Sequence, residues 1–339
     1  MVRAFFESIA TLVGTTIGAG ILALPYAVSK VGLATSIIAM IAVAIATLLI
    51  NLNYAKVVSK KKEVHQITGY TKKYFGRKAE IFMVVINTLF IYGAMTAYLF
   101  GISDIISKFL PIDYRIIGIM ALIIIMSIIY LGLKAFEESE LFLGIIIISF
   151  FIIIAVSGFI IGKAPVIHEQ APNWSLFGLL IFAFMGLHAI PEMWEENPDK
   201  KSFLKAIKIS SVIVFSLYML FTLGVLFLTG SNIEEVATTG IYKVSIPLGI
   251  IANILALFCI LTTYLSLAFC NKDMWIFDFK IGKITAVFLA CLPPLIPFLL
   301  NVAGFDKILA ITGMVFGVII NLMVIAIIFR ARKHKESGL

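Results

Sequence analysis

Two short runs of small and polar residues interrupt otherwise apolar sequence. The first is Gly14-Thr15-Thr16-Ile17-Gly18-Ala19-Gly20, closed by Pro25. The second is Phe182-Ala183-Phe184-Met185-Gly186-Leu187-His188-Ala189-Ile190-Pro191. Glycine and proline weaken or break a helix, and each run puts them near the middle of an apolar stretch. A helix interrupted in hydrocarbon frees N–H and C=O groups, each costing several kcal/mol if left unpaired. Such a break survives where it faces protein or a wet cavity. In the first run, amides from about Gly18 to Ile21 open an outer half-helix whose positive dipole end suits a carboxylate. The inner half ends near Gly14, and its carbonyls suit a cation. In the second run the outer half ends near Phe184, with carbonyls that accept from an ammonium. One cavity then holds both ends of a zwitterion, which is how an amino acid is recognised.

The residues assigned to this substrate site are Thr15, Thr16, Gly18, Ala19 and Gly20 from the first run, with Phe182, Phe184, Gly186 and His188 from the second. Tyr92 joins Phe182 and Phe184 as a wall for the substrate side chain; lipid contact or helix packing is the plainer role of each ring. His188 and Glu192 stand one turn apart. Ionisable groups inside a membrane are functional by default, and histidine titrates near neutral pH, so both are candidates for carrying a coupled proton. Their plainer roles are to satisfy the broken backbone and to sit near a vestibule. Glu7 reads either as an inner gate paired with a basic residue or as a surface side chain.

The elements that position these residues follow from composition. The chain has 339 residues, 61% hydrophobic and 14% charged, against roughly 25% charged in an ordinary soluble domain. Mean hydropathy is +1.07. A soluble globular enzyme, a disordered chain and a disulfide-rich secreted module are excluded. A spanning helix needs about 20 mostly apolar residues, and ten such segments can be laid down: 5–29, 31–55, 80–108, 115–133, 140–162, 174–196, 204–229, 245–270, 281–301 and 306–330. A surface helix is expected around Gln66 to Phe75, in the basic stretch that holds Lys60, Lys61, Lys62, Lys72 and Lys73. Cys259, Cys270 and Cys291 read as packing residues with no disulfide framework.

The net charge of +8 does not signal nucleic acid. Of the 27 Lys and Arg, 21 fall on one side of this layout and six on the other, the asymmetry that orients membrane proteins. It places both termini in the cytoplasm, in a multi-pass protein of the plasma membrane. The first span resembles a signal peptide in length, but its central glycines and the nine spans after it argue against cleavage. Gly18 and Gly186 lie 168 residues apart, near half the chain. Five spans per repeat, an odd number, forces the halves (1–163 and 164–339) into opposite orientations within one membrane domain. An inverted repeat with matched broken helices is the signature of a secondary transporter. No acidic or basic residue lies at the centre of spans 1, 3, 8 or 10, so backbone groups match the substrate's charges and a polyamine is disfavoured.

The run from Gly14 through Pro25 resembles the first helix of the aromatic and hydroxy amino acid permeases, similar to bacterial tyrosine and tryptophan permeases. The run from Phe182 to Pro191 resembles their sixth. The broader group is the amino acid/polyamine/organocation superfamily, with the leucine-transporter-type fold. Members of the branch often carry an eleventh span. The resemblance implies that Gly18-Ala19-Gly20 binds the substrate carboxylate. It also implies a sodium site joining the carbonyls of Gly14 and Ile17 to Cys259, Thr262 and Thr263. The i, i+3, i+4 spacing puts those last three on one helix face, and oxygen ligands suit a hard cation. Threonines in membranes also bond their own helix carbonyls. Proton-coupled relatives replace this sodium with a lysine in the fifth helix; span 5 has no internal lysine.

The sequence therefore reads as an all-α polytopic membrane protein, ten helices in two inverted five-helix repeats with spans 1 and 6 broken. The function expected is alternating-access transport of a neutral amino acid, aromatic or hydroxylated, coupled to sodium. Proton symport, uncoupled exchange and a non-transporting amino acid sensor are the alternatives. An enzyme is not expected, because no cluster of acidic or histidine ligands lies inside the spans. Apart from sodium no cofactor is implied, and the partners are the amino acid and the lipid bilayer.

Overall fold

A computed structural model describes residues 2–60, 64–132, 134–163, 170–171, 173–277 and 279–336. Lys61 and Lys62 of the basic stretch lie outside the described residues, as do the side chains of Lys134 and Lys335. The described residues form helices and connections, with no strand among them.

The order begins with α1 (Val2–Thr16), α2 (Gly20–Val31), α3 (Leu33–Val58), the short α4 (Ile67–Phe75) and α5 (Arg77–Ser107). It continues with α6 (Tyr114–Leu131), α7 (Lys134–Ile161), α8 (Trp174–Ala183), α9 (Ala189–Glu196) and α10 (Lys200–Thr229). The remainder is α11 (Ala237–Val244), α12 (Ile246–Phe277), α13 (Lys283–Cys291), α14 (Leu295–Leu299), α15 (Phe305–Ile311) and α16 (Val318–Glu336). A π-helical turn, Thr312–Gly317, joins the last two.

Among the described residues, six helices are long and apolar enough to cross a membrane, and the α1–α2 pair makes a seventh if it counts as one crossing. Their outward faces carry large exposed apolar side chains, among them Ile38, Leu49, Ile123, Ile124, Val212 and Leu322. In water such a surface would be a liability; against lipid tails it costs nothing.

Local chemistry sets the helix ends. Asp113, Asn173 and Asp199 precede α6, α8 and α10, and each accepts an amide hydrogen from the first turn through its side chain, which satisfies an otherwise orphan donor. Gly32 alone separates α2 from α3, at φ +116°, a conformation L side chains rarely adopt. α4 lies where the surface helix was expected, with Ile67, Tyr70, Thr71 and Tyr74 buried and Lys72 and Lys73 exposed.

Three features depart from the sequence reading. α11 lies between α10 and α12 where only a connection was foreseen. The stretch 281–301 is split into α13 and α14 around Pro293-Pro294. Proline has no N–H, so residues 293 and 294 cannot donate to the carbonyls of Leu289 and Ala290. The Tyr92 hydroxyl donates to Leu289 instead at 2.6 Å, and Asn271 Nδ2 reaches Ala290 at 3.5 Å. The π turn lies inside the last stretch, against α8. A Cβ on Gly313 would meet the Gly178 carbonyl, so the two backbones touch directly.

Candidate functional site

α1 and α2 meet at a 54° bend across Ile17–Ala19. Helical structure continues through Gly14 and stops at Thr16, so the inner half ends two residues later than the sequence suggested. Within the bend the Gly18 amide donates to the Thr16 carbonyl at 3.0 Å, and Ile21 donates to Gly18 at 3.3 Å. The amides that the bend's own backbone does not take up narrow to Ala19 and Gly20. Ile17, Gly18, Ala19 and Gly20 are buried, whereas Gly14 and Thr15 are exposed.

The second run separates α8 from α9, and residues 184–188 fall between them. It presses on the first. A Cβ on Gly186 would lie 2.7 Å from Leu12 Cδ1 and 2.8 Å from Thr16 Oγ1. A Cβ on Gly20 would lie 3.3 Å from the Ala183 Cα, and one on Gly18 would lie 3.2 Å from Thr263 Cγ2. The two interruptions thus face each other, with α12 alongside. A cavity of about 20 Å³ beside them, lined by Leu12, Thr16, Asn51 and Phe184 among others, has room for one water.

Aromatic rings pack around the second interruption. Phe182 stacks on Phe90 with ring centres 5.4 Å apart, and Phe184 meets Tyr218 edge-on at 5.1 Å. His188 is half-buried, and its Nε2 lies 2.7 Å from Asn87 Oδ1. That partner is a neutral amide, which stabilises the imidazole N–H without favouring an extra proton. Glu192 is exposed in the first turn of α9. Tyr92 is half-buried and bound to the α13 carbonyl described above.

Thr262 and Thr263 donate to the Cys259 carbonyl at 3.0 and 2.8 Å. These are own-helix bonds of the sort membrane threonines make. They use the hydroxyl protons and leave oxygen lone pairs, which suit a hard cation. Cys259 itself is buried, and all three cysteines carry free thiols.

The two ends of the bundle differ. At the α1 end, Thr11 donates to Glu196 at 2.7 Å, and Asn197 Nδ2 reaches Ser8 Oγ at 3.3 Å. Glu7 pairs with Arg3 on its own helix at 2.7 Å, both side chains being exposed; among the described residues it does not bridge to another element, and such pairs contribute little. At the α2 end a vestibule of about 680 Å³ opens, walled by Tyr26, Lys30, Asp104, Glu234 and Lys243 among others. Lys108 lies 3.4 Å from Asp104 and 3.1 Å from Glu234, and Lys243 pairs with Glu234.

The sequence profile of the tryptophan/tyrosine permease family matches residues 1–338. The chain belongs to this family. Family membership puts this permease among transporters rather than enzymes. It is 22% identical to tyrosine-specific transport system 1 of Haemophilus influenzae, over 94% of the chain and 86% of the relative. It is 25% identical to amino acid transporter AVT1H of Arabidopsis thaliana over 76% of the chain, and spans only 62% of that relative's length. Among solved structures, the inward-facing conformation of Mhp1 aligns with a TM-score of 0.69 at 12% identity, covering 91% of this chain and 73% of that one. MhsT in complex with L-phenylalanine aligns at 0.64 and 15% identity, covering 94% and 87%. These neighbours have the leucine-transporter fold.

Sequence reasoning missed four residues that the permease places at or beside the interruptions. Tyr218, fully buried on α10, has its hydroxyl 2.7 Å from the Thr16 carbonyl and 2.8 Å from the Ala183 carbonyl. Tyr98 on α5 has its hydroxyl 3.7 Å from the Cβ position of Gly18. Asn51 on α3 is buried with no partner for Oδ1 among the described residues. Asn87 holds His188. The usable signal was the demand itself: carbonyls freed at mid-span need donors, and tyrosines within apolar spans can supply them.

Proposed function

We propose that this chain is a secondary active amino acid transporter working by alternating access, with ten crossings in two inverted repeats, 1–163 and 164–339. The crossings are α1–α2, α3, α5, α6, α7, α8–α9, α10, α12, α13–α14 and α15–α16. The observation that carries the reading is the direct contact of the two interrupted stretches, with Gly186 against Thr16 and Gly20 against Ala183. Peptide groups without helix partners from two chain segments then meet at one depth, as a midplane site for a zwitterion requires.

In this reading the Ala19 and Gly20 amides hold the substrate carboxylate, and carbonyls at Phe184–Gly186 accept from its ammonium. Phe182, Phe184 and His188 border the side chain. The substrate is a neutral amino acid with an aromatic or hydroxylated side chain; the aromatic rings at the second interruption and a relative named for tyrosine support this. Sodium is the coupling ion, held by Ile17 and Gly14 carbonyls with Cys259, Thr262 and Thr263. The proton-coupled alternative rests on His188 and Glu192, and the neutral partner of His188 and the exposure of Glu192 weigh against it.

The excess of Lys and Arg on one side supports cytoplasmic termini, and we take the membrane to be the plasma membrane. The vestibule then faces outward, and the Thr11–Glu196 contact closes the inner end.

Binding of each of the twenty amino acids to purified protein, with and without sodium, tests the substrate class. Flux into vesicles under separately imposed sodium and pH gradients tests coupling. Selective binding with gradient-driven flux supports the proposal; binding without flux makes the protein a sensor, and no binding removes the site.

A further inference from the structure

Positive charge gathers where four helices meet at one end of the bundle. α4 packs against α5 and α16, and α16 packs against α3. The last turn of α3 carries exposed Lys56, α4 exposes Lys73, α5 opens with exposed Arg77 and Lys78, and α16 carries exposed Arg330 and Arg332 near its end. Two contacts fix the arginines on this surface. The Arg330 guanidinium lies over the Phe75 ring of α4, 5.0 Å from its centre, and Arg332 Nη2 donates to Asn53 Oδ1 of α3 at 2.8 Å. A ring and a neutral amide order a guanidinium without cancelling its charge. Lys72 differs, because it pairs with Glu80 at 3.2 Å. The neighbours of these cations indicate the partner. Ile81 and Phe82 on α5, one turn past Arg77 and Lys78, are exposed, as are Phe329 beside Arg330 and Leu49 one turn before Asn53. Large apolar side chains exposed on spanning helices face lipid tails. The cations therefore stand where tails give way to headgroups. A partner with phosphate at that level and acyl chains beneath it meets both features, whereas a nucleic acid or an acidic peptide meets the charge alone.

We propose that this surface binds anionic phospholipid. Arg330 and Arg332 take the phosphate, which their forked donors match at two points. Lys73 and Arg77 add charge from α4 and α5, and the acyl chains lie against the exposed side chains of Ile81, Phe82 and Phe329. A bound lipid thereby ties α16 to α3 and α4. The proposal requires a membrane-embedded permease, which the family gives, and is independent of the substrate and coupling ion proposed above.

The test uses the full chain purified in a neutral detergent, with phosphatidylglycerol or phosphatidylcholine added at the same mole fraction. The first readout is the thermal unfolding midpoint. Phosphatidylglycerol is expected to raise it above the phosphatidylcholine value, as a ligand of the folded state does, and added salt is expected to shrink the gain. The second readout is the ratio of the two lipids that stay with the protein when it is purified from an equal mixture. Arg330→Gln with Arg332→Gln is expected to lower that ratio by up to about fivefold for each cation removed. Arg115→Gln with Lys163→Gln removes the same charge from exposed positions outside this surface and should leave both readouts as in wild type. Equal responses of wild type to the two lipids overturn the proposal. So does a gain that both pairs of substitutions diminish alike, which is diffuse attraction to net charge. A gain that inorganic phosphate produces without lipid overturns it as well. Should the arginine pair not assemble, Lys73→Gln with Arg77→Gln, both at exposed positions, takes its place with the same expected loss and the same overturning results. Neither readout contains an amino acid, so failure here leaves the transport reading standing.

Discussion

At Gly20 a single added carbon would already touch the backbone of Ala183, at 3.3 Å. Valine adds two more carbons beyond that point. Overpacking of this sort costs roughly 1–3 kcal/mol, so Gly20→Val, if that cost falls on the bound state, is expected to weaken amino acid binding by roughly 5- to 150-fold. Equilibrium binding of labelled substrate checks this, and wild-type affinity removes the Ala19–Gly20 amides from the site. Thr263 permits a sharper experiment. Its methyl lies 3.2 Å from the Cβ position of Gly18, and its hydroxyl donates to Cys259. If its oxygen meets sodium, Thr263→Ala raises the sodium concentration needed for half-maximal uptake about tenfold, while Thr263→Ser preserves it. Equal responses in both variants assign Thr263 to helix packing. The residues legible in the sequence were those whose type announces a broken backbone: Gly18, Gly20, Gly186. Tyr218 was not legible, because its role depends on where α10 lies, and nothing in the pattern of span 7 marks one tyrosine among the chain's 11.

Helices were legible because each is a long apolar run, and length and composition are properties of sequence alone. The exceptions are the elements that tertiary contact creates. α11 is only eight residues long, too short for periodicity to declare. The π turn lies inside an uninterrupted apolar run and shows itself where α8 packs against it. The α13–α14 division was present in Pro293-Pro294, but its repair was not, since the donors come from α5 and α12. That repair is testable. Tyr92→Phe removes the donor to Leu289 and leaves a carbonyl unmet, which costs roughly 1–3 kcal/mol. Pro293→Ala restores an amide that reaches the same carbonyl. The double variant is therefore expected to recover most of the stability that Tyr92→Phe loses, a non-additive pair read by thermal unfolding. Strict additivity shows that the amide restored at residue 293 does not reach Leu289. Glu7 illustrates a different limit. Its charge invited a gate, but Arg3 one turn away satisfies it locally, while uncharged Thr11 makes the crossing to Glu196.

For the molecule as a whole, the question is what holds the vestibule wall formed by the chain between α10 and α12. Glu234 binds Lys243, Lys108 and the Thr239 hydroxyl, the last at 2.8 Å. Burial pushes its pKa up, but these bonds together outweigh burial and hold it below the usual 4.5. Glu235 accepts from the Phe305 amide at 2.8 Å. Burial, then repulsion from Asp306, raises its pKa above the usual value. Asp104, Lys30 and Lys307 complete the charges around the wall. The two carboxylates therefore act with opposite sign. Glu235 opposes closure when charged, so acidification from neutral through its raised pKa tightens the wall. Glu234 contributes fully above 4.5, and its contribution is lost as pH falls through its lowered pKa. Protection of residues 230–244 from hydrogen exchange, corrected for the intrinsic rate, is expected to pass through a maximum near the ordinary carboxylate range. Glu234→Gln should shrink the acid limb and Glu235→Gln the limb toward neutrality, the neighbouring Asp104 and Asp306 carrying what remains of the latter. A profile that changes in neither variant means that the wall is held by apolar contacts such as Phe109 on Tyr242, and that the ion pairs only decorate it.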